Sequence, residues 1–147
     1  MLSISFNHFS IRTDKLDDTC TFYSNLLDLK DGYRPDFKFG GRWLYLNDNP
    51  IIHLVDVSPD SQEHVRQYLG PDAVNTEGHG SFDHFAFGVK GYPEITQRLK
   101  SMSVDYSERV VPNVDARQIF VKDPNGITIE LQFAADEFAA AESVESA

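Results

Sequence analysis

Two short stretches of this chain are near copies of each other: FNHFSIRT at residues 6–13 and FDHFAFGV at residues 82–89. Each places a histidine between a polar residue and a phenylalanine, and the two histidines, His8 and His84, are 84 − 8 = 76 residues apart. A match at such a separation indicates a duplicated structural unit. The segments that follow the two stretches should therefore match as well.

Those segments predict the same elements in the same order. In the first half, a strand and a helix are followed by three more strands, at residues 4–12, 13–29, 30–37, 42–47 and 50–57. In the second half, the same order gives residues 82–89, 93–102, 104–111, 117–122 and 127–133. The sequence predicts an α+β fold of two βαβββ modules, in which paired four-stranded mixed sheets curl around a cleft and the helices lie outside.

The two modules, at about residues 4–57 and 82–133, belong to a single predicted domain at residues 1–133. The connector at residues 58–81 is polar and predicts a short helix at residues 61–69. Residues 134–147 contain acidic residues and no basic ones, which is typical of a flexible tail.

Composition limits the partners and the compartment. The formal net charge of −10 disfavours nucleic acid and anionic membrane surfaces, because like charges repel at long range. The sequence has no run of about 18 apolar residues that predicts a membrane span, and we see no secretory signal. The single cysteine, Cys20, excludes an internal disulfide and fits a reducing compartment, so we expect a cytoplasmic protein.

The last predicted strand has the clearest alternation in the chain. Apolar residues occupy one face and polar residues the other: Ile127, Ile129, Leu131 and Phe133 against Thr128, Glu130 and Gln132. We expect the apolar face to pack on the helices. Glu130 should then face the cleft.

Four side chains able to bind a metal occupy two pairs of equivalent places. His8 and His84 lie on the first strands of the two modules, and His53 lies opposite Glu130 when the last strands are aligned, at an offset of 130 − 53 = 77. Two imidazoles and a carboxylate hold a divalent metal and leave positions open for substrate or water. His8, His84 and Glu130 are the candidate ligands, and His53 is either a fourth ligand or a nearby acid–base group.

The sequence resembles the vicinal oxygen chelate superfamily, which includes glyoxalase I, methylmalonyl-CoA epimerase, fosfomycin and bleomycin resistance proteins and type I extradiol dioxygenases. The similar segments are NHFSIRT, FYSNLL, DHFAFGV, and DPNG followed by ITIEL, and the similarity extends over residues 4–133. The resemblance implies one divalent ion (Zn, Ni, Mn or Fe) on His8, His84 and Glu130, a small-molecule substrate and a homodimer. The sequence departs from glyoxalase I at His53, where that enzyme usually has a glutamate.

Three functions stay open. We favour a metal-dependent, redox-neutral isomerase or lyase of the glyoxalase type, in which Glu130 and His53 move a proton next to a carbonyl. The alternatives are an Fe(II) extradiol dioxygenase acting on a catechol and a non-catalytic protein that binds a small molecule or an antibiotic. The candidate substrate-binding residues lie on or beside strands expected to line the cleft: Arg12, Arg42, Tyr45 and Arg117.

Overall fold

The computed structural model describes residues 1–3, 5–111 and 116–134. The chain divides into two compact units, Met1–Gly78 and His79–Ala147. Each unit contains one four-stranded sheet.

The sheet of the first unit is mixed and has the strand order β1-β4-β3-β2. Its elements follow in the chain as β1 (Phe9–Thr13), α1 (Leu16–Leu27), β2 (Lys30–Gly32), β3 (Gly41–Leu46), β4 (Asn49–Asp56) and α2 (Gln62–Leu69). β1 runs parallel to β4, and the other neighbouring strands run antiparallel. Since β1 and β2 are the two edges, the sheet is open rather than closed.

The two helices of this unit lie on opposite faces of the sheet. α1 buries Phe22, Tyr23 and Leu26 against the face that carries Leu54. α2 packs near the end of β4 in a cluster of four buried residues, Phe39, Val55, Val57 and Val65. Val55 and Leu54 are neighbours in one strand and therefore point to opposite faces. His53, two residues before Val55, shares the face of α2.

The second unit repeats this arrangement, with the strand order β5-β8-β7-β6. Its elements are β5 (His84–Gly88), α3 (Tyr92–Ser101), β6 (Tyr106–Val110), β7 (Ala116–Lys122) and β8 (Thr128–Ala134). β5 runs parallel to β8, and the remaining pairs run antiparallel. The predicted α+β class and the two βαβββ modules are confirmed.

β8 divides the second unit into an apolar and a polar side. Ile129, Leu131 and Phe133 are fully buried, and the ring of Phe133 meets that of Tyr92 on α3 edge-on at 5.4 Å. Burying each of these side chains contributes about 1.5–3 kcal/mol to stability. The alternating residues, Glu130 among them, face away from α3.

A tight turn sets the register of β8. Oδ1 of Asp123 accepts hydrogen bonds from the backbone N–H groups of Asn125 and Ile127, at 2.8 and 3.0 Å. Gly126 adopts a φ of 80°, in the region that favours glycine. The turn therefore fixes where β8 begins and which of its residues face the helix.

Besides small shifts at the ends of several elements, the structure differs from the prediction at three places. β1 begins at Phe9, so His8 lies just before the strand. The strand predicted at residues 30–37 ends at Gly32, and residues 33–40 form a loop that contains Pro35, which lacks the N–H that a ladder requires. Of the predicted tail, Ala134 ends β8 and residues 135–147 lie outside the described residues. No helix among the described residues has the length and apolar character needed to cross a membrane.

Candidate functional site

His84 and Glu130 face each other on the side of the second sheet that α3 leaves uncovered. His84 is paired with Thr128 and Ala86 with Glu130, which puts the side chains of His84 and Glu130 on one face. Nε2 of His84 lies 3.7 Å from Oε2 of Glu130. The structure thus brings together the two candidate ligands of the second module, His84 on its first strand and Glu130 on its last.

Asp83 fixes the orientation of the His84 ring. Oδ2 of Asp83 accepts a hydrogen bond from Nδ1 of His84 at 2.6 Å. An ionised carboxylate only accepts, so the proton of the neutral ring lies on Nδ1 and the lone pair lies on Nε2. This arrangement, a carboxylate behind an imidazole, is the one that metal-binding histidines commonly have.

In the first unit, His53 is held between two other rings. The ring of His8 stacks on it at a centroid distance of 3.7 Å, and the ring of Trp43 stacks on its other side at 3.8 Å. Trp43 is the partner of His53 in the β3–β4 ladder, which explains why both rings lie on one face. Nδ1 of His8 bonds to Oδ1 of Asn7 at 2.6 Å, so Asn7 holds its histidine as Asp83 holds His84.

Burial keeps the His53 ring neutral. Burial first, and the neighbouring His8 second, lower the pKa of His53 to about 4. Its Nε2 is sealed from solvent and has no hydrogen-bond partner among residues 1–3, 5–111 and 116–134. A ring with this pKa accepts a proton poorly at pH 7, so the proton-moving role predicted for both His53 and Glu130 falls mainly to Glu130.

A titration would detect this buried ring. In metal-free protein we expect the imidazole resonances of His53 to shift with a midpoint near pH 4, measured by NMR and assigned with His53→Asn. The folded pKa lies below the ordinary value of about 6.5, so His53 contributes stability that is complete above that pH and lost as the pH falls toward 4. Trp43→Ala should raise the midpoint by exposing the ring. A midpoint at or above 6.5 in the unaltered protein would contradict the described packing.

The imidazole nitrogens of the histidines and the carboxylate of Glu130 are donor types that bind divalent metals. The separation between His84 and Glu130 is too long for a hydrogen bond, and ligand bonds of about 2.1 Å to each atom would span it. Neither unit gathers three His, Cys, Asp or Glu side chains around one point within the part of the chain that is described. The stacked rings of His8 and His53 lie nearly parallel, at 10°, so one ion cannot lie in both ring planes. In this arrangement only one of the two histidines would bind it.

Two of the predicted substrate-binding residues, Arg42 and Arg117, lie on the helix-covered faces of their sheets, opposite to the faces that carry the histidines. Arg42 of β3 lies on the face that α1 covers, where it pairs with Asp17 of α1 at 2.9 Å and with Asp31 of β2 at 2.6 Å. Arg117 lies 3.9 Å from Glu108, with its guanidinium over the ring of Tyr92 on α3. The structure therefore separates these two arginines from the histidines.

Arg12 and Tyr45, the other two predicted substrate-binding residues, each donate a side-chain hydrogen bond to a backbone carbonyl oxygen. Nη1 of Arg12 donates to the carbonyl oxygen of Asp72 at 2.9 Å. The hydroxyl of Tyr45 donates to the carbonyl oxygen of Tyr33 at 2.6 Å. Arg12 lies on the His53 face, because its ladder partner in β4 is Val55.

The sequence analysis missed Trp43 and Asp83. The alternation of residues 42–46 offered a signal for Trp43, since it places that residue on the face opposite to Arg42 and Leu44. Trp43 also approaches a groove of about 350 Å³, because its ring lies 6.4 Å from that of Phe37, one of the aromatic residues that line the groove. The groove has no sequence signal, since residues distant in the chain form it.

Comparisons with known proteins agree with this architecture. The family model of the Glyoxalase/Bleomycin resistance protein/Dioxygenase superfamily matches residues 5–131. "Glyoxylase I 4" of Arabidopsis thaliana is 26% identical over 130 residues, which cover 86% of this chain and 69% of that protein.

Solved structures share the fold at low sequence identity. Lactoylglutathione lyase from Agrobacterium tumefaciens superimposes with a TM-score of 0.64 at 18% identity, over 90% of this chain and 95% of that chain. A mutant of the fosfomycin resistance protein FosX from Listeria monocytogenes, complexed with Mn(II) and 1S,2S-dihydroxypropylphosphonic acid, gives 0.67 at 17% identity, over 91% and 94%. Since the family model covers most of the sequence and the fold agrees, the chain belongs to the glyoxalase/bleomycin resistance protein/dioxygenase superfamily, as the resemblance implied.

Proposed function

We propose that the protein is a metal-dependent, redox-neutral isomerase or lyase of the glyoxalase type that acts on a small oxygenated substrate. His84, Glu130 and His8 would hold one divalent ion, Zn, Ni, Mn or Fe. His53 would lie behind His8 as a neutral ring, because two stacked rings do not share one ion. This assignment keeps His8 as a ligand and reduces the predicted role of His53.

One observation carries the proposal: the carboxylate of Glu130 faces Nε2 of His84 at 3.7 Å in a residue that is only 7% exposed. No described residue donates a hydrogen bond to this carboxylate, and Asp83 already occupies the other nitrogen of the His84 ring. A carboxylate with so little access to water is stabilised by a neighbouring cation or by hydrogen bonds. A divalent cation held by Glu130 and His84 would supply that compensation.

The proposed reaction assigns a different role to the metal, to Asp83 and to Glu130. A divalent metal bound there would polarise a carbonyl or hydroxyl group of the substrate as a Lewis acid. The hydrogen bond from His84 to Asp83 leaves Nε2 of His84 free to bind the ion, and His84 would use it as a ligand. Glu130 would take a proton from the carbon next to a carbonyl group and return it to the neighbouring carbon. The limited exposure of Glu130 slows loss of that proton to water.

The names of related proteins support the same reaction class. "Glyoxylase I 4" is the curated relative, and lactoylglutathione lyase shares the fold. The FosX mutant was solved with Mn(II), so the fold accommodates a divalent ion in that protein.

Metal analysis followed by two assays tests the proposal. Protein purified without added metal should contain close to one divalent ion per chain. The loaded protein should convert the hemithioacetal of methylglyoxal without taking up oxygen. Cleavage of a simple catechol ring with oxygen uptake would instead establish the dioxygenase alternative. A protein that binds no metal at all would contradict the proposal and favour the non-catalytic binding alternative.

The homodimer and the cytoplasmic location implied earlier stay predictions. Sizing of the purified protein against twice its mass of 16.6 kDa would test the first, and fractionation of cells would test the second.

A further inference from the structure

Arg34 lies in the loop between β2 and β3, over two aromatic rings. Its guanidinium carbon is 4.9 Å from the centroid of Phe37 and 5.2 Å from that of Phe39, and Nη2 donates to the carbonyl oxygen of Phe39 at 3.0 Å. A β-carbon built on Gly41 would approach Nη2 to 2.8 Å. The rings, the carbonyl group and the glycine therefore hold the side chain in one place.

The charge of Arg34 is poorly compensated. Its Nε is sealed from solvent and has no hydrogen-bond partner among the described residues, and no described carboxylate lies within 4.0 Å. Burial lowers the pKa of Arg34, and Asp36 offsets this only in part. Nη1 also has no acceptor among the described residues, and unlike Nε it is not sealed from solvent. A guanidinium with one edge out of water attracts an anion at its open edge more strongly than a fully hydrated one does.

The other half-buried arginines differ from Arg34 in this respect. Arg42 pairs with Asp17 and Asp31, Arg98 with Glu94, and Arg117 with Glu108. Each of these three has a carboxylate within 4.0 Å that neutralises it. Arg34 is the half-buried arginine that the described residues leave without one.

A row of aromatic rings connects Arg34 to the histidines of the first unit. Phe37, which lies under the guanidinium, is 6.4 Å from Trp43, and Trp43 stacks on His53 at 3.8 Å. His53 in turn stacks on His8 at 3.7 Å. The unpaired cation and the proposed ligand His8 thus lie at the two ends of one continuous aromatic surface.

We infer that Arg34 binds an anionic group of the substrate, a carboxylate or a phosphonate, through Nη1. The substrate class is therefore a small oxyanion whose body lies against the rings of Phe37 and Trp43. This inference rests on the proposed function for the identity of the reacting end. It adds a binding residue that replaces Arg42 and Arg117.

Fluorescence of Trp43, the single tryptophan of the chain, provides the readout. We expect methylphosphonate, acetate or both to change it saturably, and acetamide, which is uncharged, to leave it unchanged. Arg34→Gln should weaken anion binding by about tenfold or more, the loss expected for one charge-assisted hydrogen bond. Arg34→Lys, which keeps the charge, should retain part of the binding. Whichever of the two anions binds more tightly identifies the group.

The matched control is Arg66→Gln on α2. Arg66 is exposed and bonds to Gln62, so its loss removes the same charge from the same unit without touching the aromatic surface. Anion affinity in Arg66→Gln should equal that of the unaltered protein. An equal loss in both variants would show a general effect of charge, and unchanged binding in Arg34→Gln would overturn the inference.

A measurement on the unaltered protein covers the case in which Arg34→Gln does not fold. The buried Nε–H of Arg34 should give a slowly exchanging NMR signal that moves on addition of the anion and is missing in Arg34→Lys. A signal that stays in place at saturating anion overturns the inference.

Metal content separates this inference from the proposed function. Arg34→Gln should keep the metal content of the unaltered protein while it loses anion binding. If the protein binds no metal but still binds the anion through Arg34, the proposed function fails and the anion site stands.

Discussion

Replacing Glu130 with glutamine is expected to remove the metal and with it the activity. The amide has nearly the same shape as the carboxylate but no charge, so it loses the attraction for the cation. Changing outer residues that support metal ligands typically weakens binding 10- to 100-fold, and we expect about a hundredfold or more for a direct ligand. Metal analysis after dialysis and assay of the reloaded variant measure both effects.

The matched control for this substitution is Glu94→Gln. Glu94 lies on α3 with 66% of its side chain exposed and pairs with Arg98 at 2.7 Å, a contact worth a few tenths of a kcal/mol at most. Metal content and turnover should be those of the unaltered protein. Full metal occupancy in Glu130→Gln would exclude Glu130 as a ligand.

Shortening the next residue along β8, Leu131, should lower the stability of the protein but leave its metal binding intact. Leu131 is fully buried on the helix-facing side of the strand, and Leu131→Ala is expected to lower the free energy of unfolding by about 2–5 kcal/mol, because it removes buried methyl groups and leaves a cavity. Denaturant titration followed by circular dichroism measures this loss. The metal content of the molecules that stay folded should not change.

Val110→Ala is the control for that loss of stability. Val110 ends β6 with 63% of its surface exposed, so the same kind of truncation should change the unfolding free energy by no more than about 0.5 kcal/mol. Comparable losses in Leu131→Ala and Val110→Ala would show that the apolar side of β8 is not the core of the second unit.

Alternation and repetition predicted most of the architecture. The alternation at residues 127–133 identified β8 and the face of Glu130, because an apolar residue at every second position of a strand has to be buried together with the others. The recurrence of the His84 pattern at His8 then extended that assignment to the first unit. Both modules and the family were predicted in this way.

The faces of the arginines were not predictable by the same means. Alternation states that Arg42 and Trp43 point to opposite faces, but it does not state which face a helix covers when both carry apolar residues. In β3, Leu44 is fully buried under α1, so Arg42 lies on the same side as the helix. Arg117 lies on the helix-facing side of β7 in the same way, since Ile119 is the buried residue that shares its face.

Arg34 lies in a loop, whose conformation the periodicity of the sequence does not predict. The segment was predicted as a strand through residue 37. Pro35 interrupts the backbone ladder, and the loop then folds back so that the guanidinium lies over Phe37 and Phe39. Contacts of this kind depend on loop conformation, for which periodicity carries no information.

The crowding around Gly41 limits how this chain can vary during evolution. Any side chain at position 41 would collide with the carbonyl oxygen of Leu54 in the neighbouring strand as well as with Arg34, so the position accepts no other residue without moving the backbone. Arg34 lies in the loop between β2 and β3 and contributes no backbone pair to the sheet. If Arg34 binds the anionic group as inferred, substrate preference would change with the residue at position 34, whereas position 41 accepts only glycine without a backbone shift.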